Sequence, residues 1–335
     1  MSVDLTTTYL GRRLRSPLVA SSSPLGRDLD QLRAMVDAGV GAVVLPSLFE
    51  EQVTTDAVTL QQMLHQGAFG FAESPGTMFP EVGGYGTGPD PYVRHLAAAA
   101  EALDVPVIAS LNGVSVGGWT RYARLQQDAG AAAIELNPYV VAADPAVTGS
   151  EVDDRLVDLV AEVCSLVEVP VAVKLSPSHS ALANLAVRLV DAGAAGLVLF
   201  NRFLQPDVDL DRLDVVDEAH LSGPGDLLAP LRWCALLREH VPGSLALTSG
   251  VHDGDAATKA MLVGADVAMV ASALLRHGPG FAATILDGLE RRLDQLGYTS
   301  VAQAHGALAA HRAPDPEAYE RAHYVHALTG YRNAP

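Results

Sequence analysis

Lys174 interrupts an otherwise apolar run, Val171-Ala172-Val173-Lys174-Leu175, and a lysine so placed is rarely buried without a partner. Either an acid such as Glu135 or a ligand's negative charge would serve, and the run's setting favours the ligand. Asn112, Asn137 and Asn201 each close or follow another short run of Val, Ile, Leu and Ala. An amide donates and accepts in one plane, so several together suit a flat heteroaromatic ring with mixed donors and acceptors. Two further runs end in small residues, Ser249-Gly250-Val251 and Ala271-Ser272-Ala273, each leading into a helical stretch. Backbone N–H groups at such turns, backed by a helix N-terminus, bind phosphate. Asp253 suits the N-cap of the first of those helices. Ser21-Ser22-Ser23 and Pro46-Ser47 end two more runs.

The elements that must position these residues are written in punctuation. Four times a proline and a glycine stand 22 to 24 positions apart: Pro17 and Gly39, Pro106 and Gly130, Pro170 and Gly193, Pro242 and Gly264. Each proline opens an apolar run (Leu18–Ala20, Val107–Ala109, Val171–Val173, Leu245–Leu247), and each glycine precedes another (Ala42–Leu45, Ala133–Leu136, Gly196–Leu199, Val267–Val270). Short runs without polar alternation suit strands covered on both faces. Glycine is the usual left-handed helix stop, and proline blocks helix continuation. The stretches between, such as Leu182–Val190, carry apolar residues three and four apart. Eight strands alternating with helices predict an α/β fold, a single (β/α)8 TIM barrel, with an open doubly wound sheet as the alternative. Regular quarters and the closing number eight favour the barrel. In a barrel the strand C-termini form one mouth, so the lysine, the amides and the small-residue turns converge there. A cation at the N1/C2 edge of a flavin would stabilise its anionic reduced ring.

Long loops follow strands 2, 4 and 6, at residues 47–95, 138–169 and 201–241. The first holds Gly83-Gly84-Tyr85-Gly86-Thr87-Gly88, which fits no dinucleotide fingerprint and reads as a flexible lid or turn. Residues 1–296 form the expected cofactor-binding barrel. Residues 297–335 form a C-terminal helical tail, packing on the barrel or on a partner subunit. A net charge of −17 argues against nucleic acid and anionic membrane surfaces. No apolar run approaches the length of a membrane span, and no signal peptide opens the chain, so a cytoplasmic location is expected. Cys164 and Cys234 read as core residues; two thiols cannot hold an iron–sulfur cluster. His323 and His326 read as surface residues, and no metal site is expected.

The chain resembles the dihydroorotate dehydrogenase family of FMN-dependent barrels, above all its bacterial "dihydroorotate dehydrogenase-like" branch, over about residues 4–296. The likeness rests on Arg15-Ser16-Pro17-Leu18-Val19-Ala20-Ser21-Ser22, Glu135-Leu136-Asn137, Val171-Ala172-Val173-Lys174-Leu175-Ser176-Pro177 and Gly196-Leu197-Val198-Leu199-Phe200-Asn201-Arg202. It also rests on Gly264-Ala265-Asp266 through Ser272-Ala273-Leu274 to Gly278-Pro279. The resemblance implies that Ser21 and Ser22 lie along the flavin ring and that Asn137 bonds flavin or substrate. It places Lys174 at the N1/C2 edge and Asn201 on the substrate. Gly250, Val251, Ala271 and Ser272 would hold the FMN phosphate. From their places at the barrel mouth, Asn112 and Ser249 complete the expected cofactor-binding set.

Two departures stand out. The family usually carries a lysine at the end of strand 2, where this chain reads Leu45-Pro46-Ser47-Leu48. The family's Cys or Ser base stands three positions after the strand-4 asparagine, where this chain has Val140. A valine cannot take the proton that accompanies hydride transfer. Tyr139 is the nearest protic substitute; Glu50, Glu51 and His179 are others. The expected activity is FMN-dependent oxidation of a CH–CH bond in a small planar substrate of the dihydropyrimidine type. Lys174, Asn137 and Tyr139 would be its catalytic residues, with a soluble acceptor or an electron-transfer subunit as partner and a homodimer as one assembly the tail could make. The alternatives are a non-catalytic flavoprotein or electron-transfer subunit, and an aldolase forming a Schiff base at Lys174.

Overall fold

The computed structural model describes residues 3–53, 89–115, 117, 120–202, 205–216, 220–313 and 322–330. Eight parallel strands form its centre: β1 (Leu18–Ala20), β2 (Ala42–Val44), β3 (Val107–Asn112), β4 (Ala133–Asn137), β5 (Val171–Leu175), β6 (Gly196–Leu199), β7 (Ser244–Thr248) and β8 (Val267–Val270). Each strand pairs with its neighbours in sequence, and β8 pairs with β1 (Met269 opposite Val19). β2 pairs with β3 (Val43 opposite Val107), which closes the ring and excludes an open sheet. The fold is a (β/α)8 TIM barrel. β3 runs further than its apolar stretch suggests: Leu111 and Asn112 pair with the short strand Leu48–Phe49, so Asn112 lies within the strand.

Among the described residues, eight helices cover the strands in turn: α1 (Leu29–Asp37), α2 (Pro89–Ala102), α3 (Arg121–Asp128), α4 (Gly149–Leu166), α5 (Leu182–Asp191), α6 (Leu228–Leu237), α7 (Gly254–Leu262) and α8 (Phe281–Gln295), with a further short helix, Ser272–His277, between β8 and α8. The repeated glycines end α1, α3, α5 and α7 in left-handed geometry, with φ of 99°, 96°, 107° and 99° at Gly39, Gly130, Gly193 and Gly264. Pro17, Pro106 and Pro170 lend their carbonyls to Ala268, Val43 and Ile134 on neighbouring strands. The helices cover the barrel through leucines such as Leu32, Leu96, Leu159 and Leu185, all fully buried. Each such side chain contributes about 2 kcal/mol by leaving water.

Side chains alternate along each strand, so every second residue enters the barrel. The lower interior is small and apolar: Val19, Ala42, Val44, Ile108, Ala133, Ala172, Val198, Ala246, Val267 and Met269 form one cluster with Tyr9, Leu10 and Leu14. Those last three belong to the antiparallel hairpin Thr7–Tyr9/Arg12–Leu14. The hairpin is fastened at the strand N-termini, where the Leu10 N–H donates to Ser244 Oγ at 2.9 Å and Arg12 Nε donates to the Ala132 carbonyl at 3.1 Å. One end of the barrel is therefore stoppered, and the open end is the C-terminal one.

Of the long loops, the Gly83–Gly88 run and most of the proposed lid lie outside the described residues. The β6–α6 connection carries a hairpin, Asp207–Asp209/Asp214–Val216, with Val208 opposite Val215. Val208, Leu210, Leu213 and Val215 on it are all exposed. The chain beyond α8 adds Val301–Ala304, a 3-10 turn at Ala310–Arg312 and the helix Ala322–Thr329. It is pinned to α7 by Gly306 and Leu308, whose N–H groups donate to the Met261 and Leu262 carbonyls. Among the described residues, no helix is long and apolar enough to cross a membrane.

Candidate active site

The same alternation that fills the floor with small apolar side chains changes character towards the open end. Ile108 is followed by Ser110 and Asn112, Ala133 by Glu135 and Asn137, Ala172 by Lys174, and Ala246 by Thr248. The upper barrel is thus polar while its walls remain Leu and Val. Above this layer lies a cavity of about 290 Å³, close to the lower limit for small-molecule clefts. Ser21, Ser22, Asn112, Asn137, Lys174, Asn201, Ser249, Gly250, Val251, Ala271 and Ser272 all line it. Tyr139 is half-buried beyond β4 and is not among its lining residues.

Lys174 takes both of its expected partners' positions at once: it lines the cavity and is paired with the acid. Glu135 stands opposite Ala172 across the β4–β5 ladder, two residues before Lys174. From there Glu135 Oε1 accepts from Lys174 Nζ at 3.1 Å, with the two side chains 1% and 9% exposed. Lys174 Nζ also lies 3.5 Å from Ser21 Oγ. Glu135 Oε2 is buried without a partner among the described residues. Such a pair is weak evidence for stability, since desolvation offsets most of the attraction. Beside it, Ser110 is held from several sides. Its Oγ lies 2.8 Å from Ser47 Oγ, its N–H donates to Tyr92 Oη at 3.0 Å, and its carbonyl accepts from Gln126 Nε2 at 3.3 Å. Burial, with Glu135 adding to it, pushes the Tyr92 phenol well above its ordinary range, so it remains neutral.

Asn201 and Asn137 meet across the cavity, Nδ2 donating to Oδ1 at 2.7 Å. The Asn201 N–H is fixed by the Leu175 carbonyl, also at 2.7 Å. The two amides therefore present their remaining donors and acceptors in a set geometry. At the far side, Ser249 and Gly250 both adopt left-handed backbone, φ 77° and 74°. Gly250 also touches the start of α6 so closely that a Cβ would lie 2.3 Å from the Leu227 nitrogen. Ser222 braces this corner: its N–H and hydroxyl meet Ser272 Oγ at 3.0 and 2.9 Å, and Gly250 N–H reaches Ser222 Oγ at 3.4 Å. Asp253 caps α7 as expected, accepting from Ala256 N–H at 2.8 Å. Burial holds the next-door His252 imidazole below its ordinary value.

The other candidate proton acceptors are engaged elsewhere. Glu50 accepts from the Val114 N–H at 2.8 Å and from Ser115 Oγ. His179 Nδ1 lies 2.9 Å from Asp153 Oδ1, and Glu51 is exposed. None of these lines the cavity. Residues that sequence reasoning left out of the site do line it: Arg27, Phe49, Phe200, Arg202, Ser222, Thr248 and Met269. Alternation along β7 and β8 could have found Thr248 and Met269; Ser222 had no local signal. Burial raises the Cys234 and Cys164 thiols to about 12 and about 11, so neither is a nucleophile at neutral pH. Among the described residues, no group of three or more His, Cys, Asp or Glu could hold a metal ion.

The family model described as dihydroorotate dehydrogenase matches residues 5–293. A protein of Aeropyrum pernix, provisionally named dihydroorotate dehydrogenase A (fumarate), is 27% identical over 92% of this chain and 98% of its own. The dihydroorotate dehydrogenase B (NAD(+)) catalytic subunit of Desulforudis audaxviator is 28% identical over 93% of this chain and 99% of its own. The subunit of the same name from Halalkalibacterium halodurans is 29% identical over 70% of this chain and 78% of its own.

Proposed function

Because the chain belongs to the dihydroorotate dehydrogenase family, we propose that it is an FMN-dependent oxidoreductase acting on a CH–CH bond of a small planar substrate, of the dihydropyrimidine type. The donor set of the cavity fits FMN. Backbone N–H groups of Gly250, Val251, Ala271 and Ser272, with the Ser249 turn, suit a phosphate. Ser21, Ser22 and Asn112 suit the ring, and Lys174 suits its N1/C2 edge. The observation that carries the proposal is Lys174 on the cavity wall beside the bonded pair Asn137–Asn201. When bound, a flavin supplies the acceptor for a hydride.

The chain's own residues do the rest. Asn137 and Asn201 hold the substrate's donors and acceptors in one plane, so the breaking C–H bond is oriented before reaction. Lys174 sets positive charge where negative charge develops. The hydrophobic walls and the stoppered floor keep water from below. Tyr139, two positions after Asn137, is the nearest protic side chain beyond it along the chain and is the proposed acceptor of the second proton. The proposed division of labour gives cofactor and substrate to residues 1–296 and subunit or barrel packing to residues 297–335.

A purified protein that is yellow, with flavin absorbance, and that oxidises one of a panel of dihydropyrimidines supports the proposal. A colourless protein that takes up no FMN overturns it. A second reading, a non-catalytic flavoprotein or electron-transfer subunit, is favoured by Val140 and by Tyr139 lying off the cavity. It predicts a flavin that can be photoreduced but that no dihydropyrimidine reduces. A Schiff-base aldolase is disfavoured because it does not require the amides that line the cavity beside Lys174. The exposed apolar side chains of the Asp207–Val216 hairpin support a subunit contact, with a second copy or with an electron-transfer partner.

A further inference from the structure

Among the described residues, Glu135 is the acidic group bonded to Lys174. Its carboxylate is 1% exposed and does not line the cavity, whereas Lys174 does. An ammonium has three donors. Two are directed by described partners, Glu135 Oε1 at 3.1 Å and, at a long 3.5 Å, Ser21 Oγ, which leaves one for the cavity. A ligand at the wall therefore meets the positive end of a compensated pair rather than a full unit charge. Folding energy does not account for this arrangement, since a buried pair of this kind could be replaced by apolar residues at little or no loss. Glu135 Oε2 has no donor among the described residues, so Lys174 is the carboxylate's hydrogen-bond partner among them.

We propose that Glu135 is a positioning residue that holds the Lys174 ammonium at the cavity wall and attenuates its charge there, and so sets the balance between oxidised and reduced flavin. The inference rests on the FMN reading above. With Glu135 neutralised, the whole charge of Lys174 faces the ring and favours the anionic reduced form. With Lys174 removed, the carboxylate is left alone and disfavours it. With both neutralised, the wall returns to no net charge.

The test measures dissociation constants of oxidised FMN and, anaerobically, of reduced FMN for the wild type, Glu135→Gln, Lys174→Met and the double variant. Glu135→Gln is expected to shift the affinity ratio towards reduced FMN by about tenfold, which is about 30 mV in a two-electron couple. Lys174→Met is expected to shift it by a similar factor the other way, and the double variant to return towards wild type. A folded Glu135→Gln protein with an unchanged ratio, or one shifted towards oxidised FMN, overturns the inference. Should Glu135→Gln not fold, the double variant decides: a ratio equal to that of Lys174→Met overturns the role of Glu135. A wild type that binds neither form ends the FMN reading and this inference with it. A wild type that binds FMN while Glu135→Gln leaves the ratio unmoved ends this inference alone.

Discussion

Replacing Gly250 by alanine is a perturbation whose size follows from the coordinates. The residue sits at φ 74°, a conformation that costs an L-residue roughly 1–2 kcal/mol. Its new Cβ would lie 2.3 Å from the Leu227 nitrogen and 2.8 Å from the Leu227 Cα and Cβ. Backbone at the start of α6 cannot swing aside as a side-chain tip can, so overpacking adds about 1–3 kcal/mol. The sum is about 2–5 kcal/mol of stability, a large part of what a domain possesses. The same displacement would pull the Gly250 N–H away from Ser222 and spoil the turn proposed to hold phosphate. FMN affinity should fall by about tenfold or more, the equivalent of one lost charged hydrogen bond. Gly225, two residues from Leu227, has open space where its Cβ would go and no left-handed φ. Gly225→Ala is therefore the control, with stability within about 1 kcal/mol of wild type. Urea denaturation and FMN titration of the three proteins measure both quantities. A Gly250→Ala protein as stable as the control, binding FMN as the wild type does, would refute the reasoning.

Asn201→Ala removes the 2.7 Å bond to Asn137 and should lower kcat/KM by about tenfold or more while FMN remains bound; steady-state kinetics on the first substrate found checks it. Tyr139→Phe should abolish most turnover and leave the absorbance spectrum alone if Tyr139 takes the proton, and unaltered turnover would move that role to another group. Asp253→Ala takes the cap from Ala256 N–H and should cost about 1 kcal/mol in a denaturation experiment. At pH 7.5 both thiols, raised to about 12 and about 11, should resist iodoacetamide in the native protein and react after unfolding, as counted by mass spectrometry.

The architecture was legible because its signals are local. A glycine that stops a helix and a proline that precedes a strand act within a few residues, so their regular spacing survives in the chain as written. The strand-end asparagines and Lys174 were legible for the same reason: a polar side chain in a short apolar run has few places to go. Ser222 was harder, because a loop brings it to Ser272 across fifty positions, and nothing local marks that meeting. The Lys174–Glu135 pair was named as the lesser possibility. Once the β4–β5 register is known, Glu135 stands opposite Ala172, on the diagonal to Lys174, and the acid and the cavity are both served. Tyr139 shows the opposite limit. Along a strand, parity would carry a residue two beyond Asn137 to the same side, but β4 ends at Asn137, and past that point parity no longer governs direction.

The central claim, that the open end of this barrel is an FMN site with a phosphate corner, is tested most directly by titrating flavin-free protein with FMN and, in parallel, with riboflavin. Saturable binding of one FMN per chain, with riboflavin clearly weaker because it lacks the phosphate, is the expected result. No saturable binding of FMN, or riboflavin binding as tightly as FMN, would contradict it.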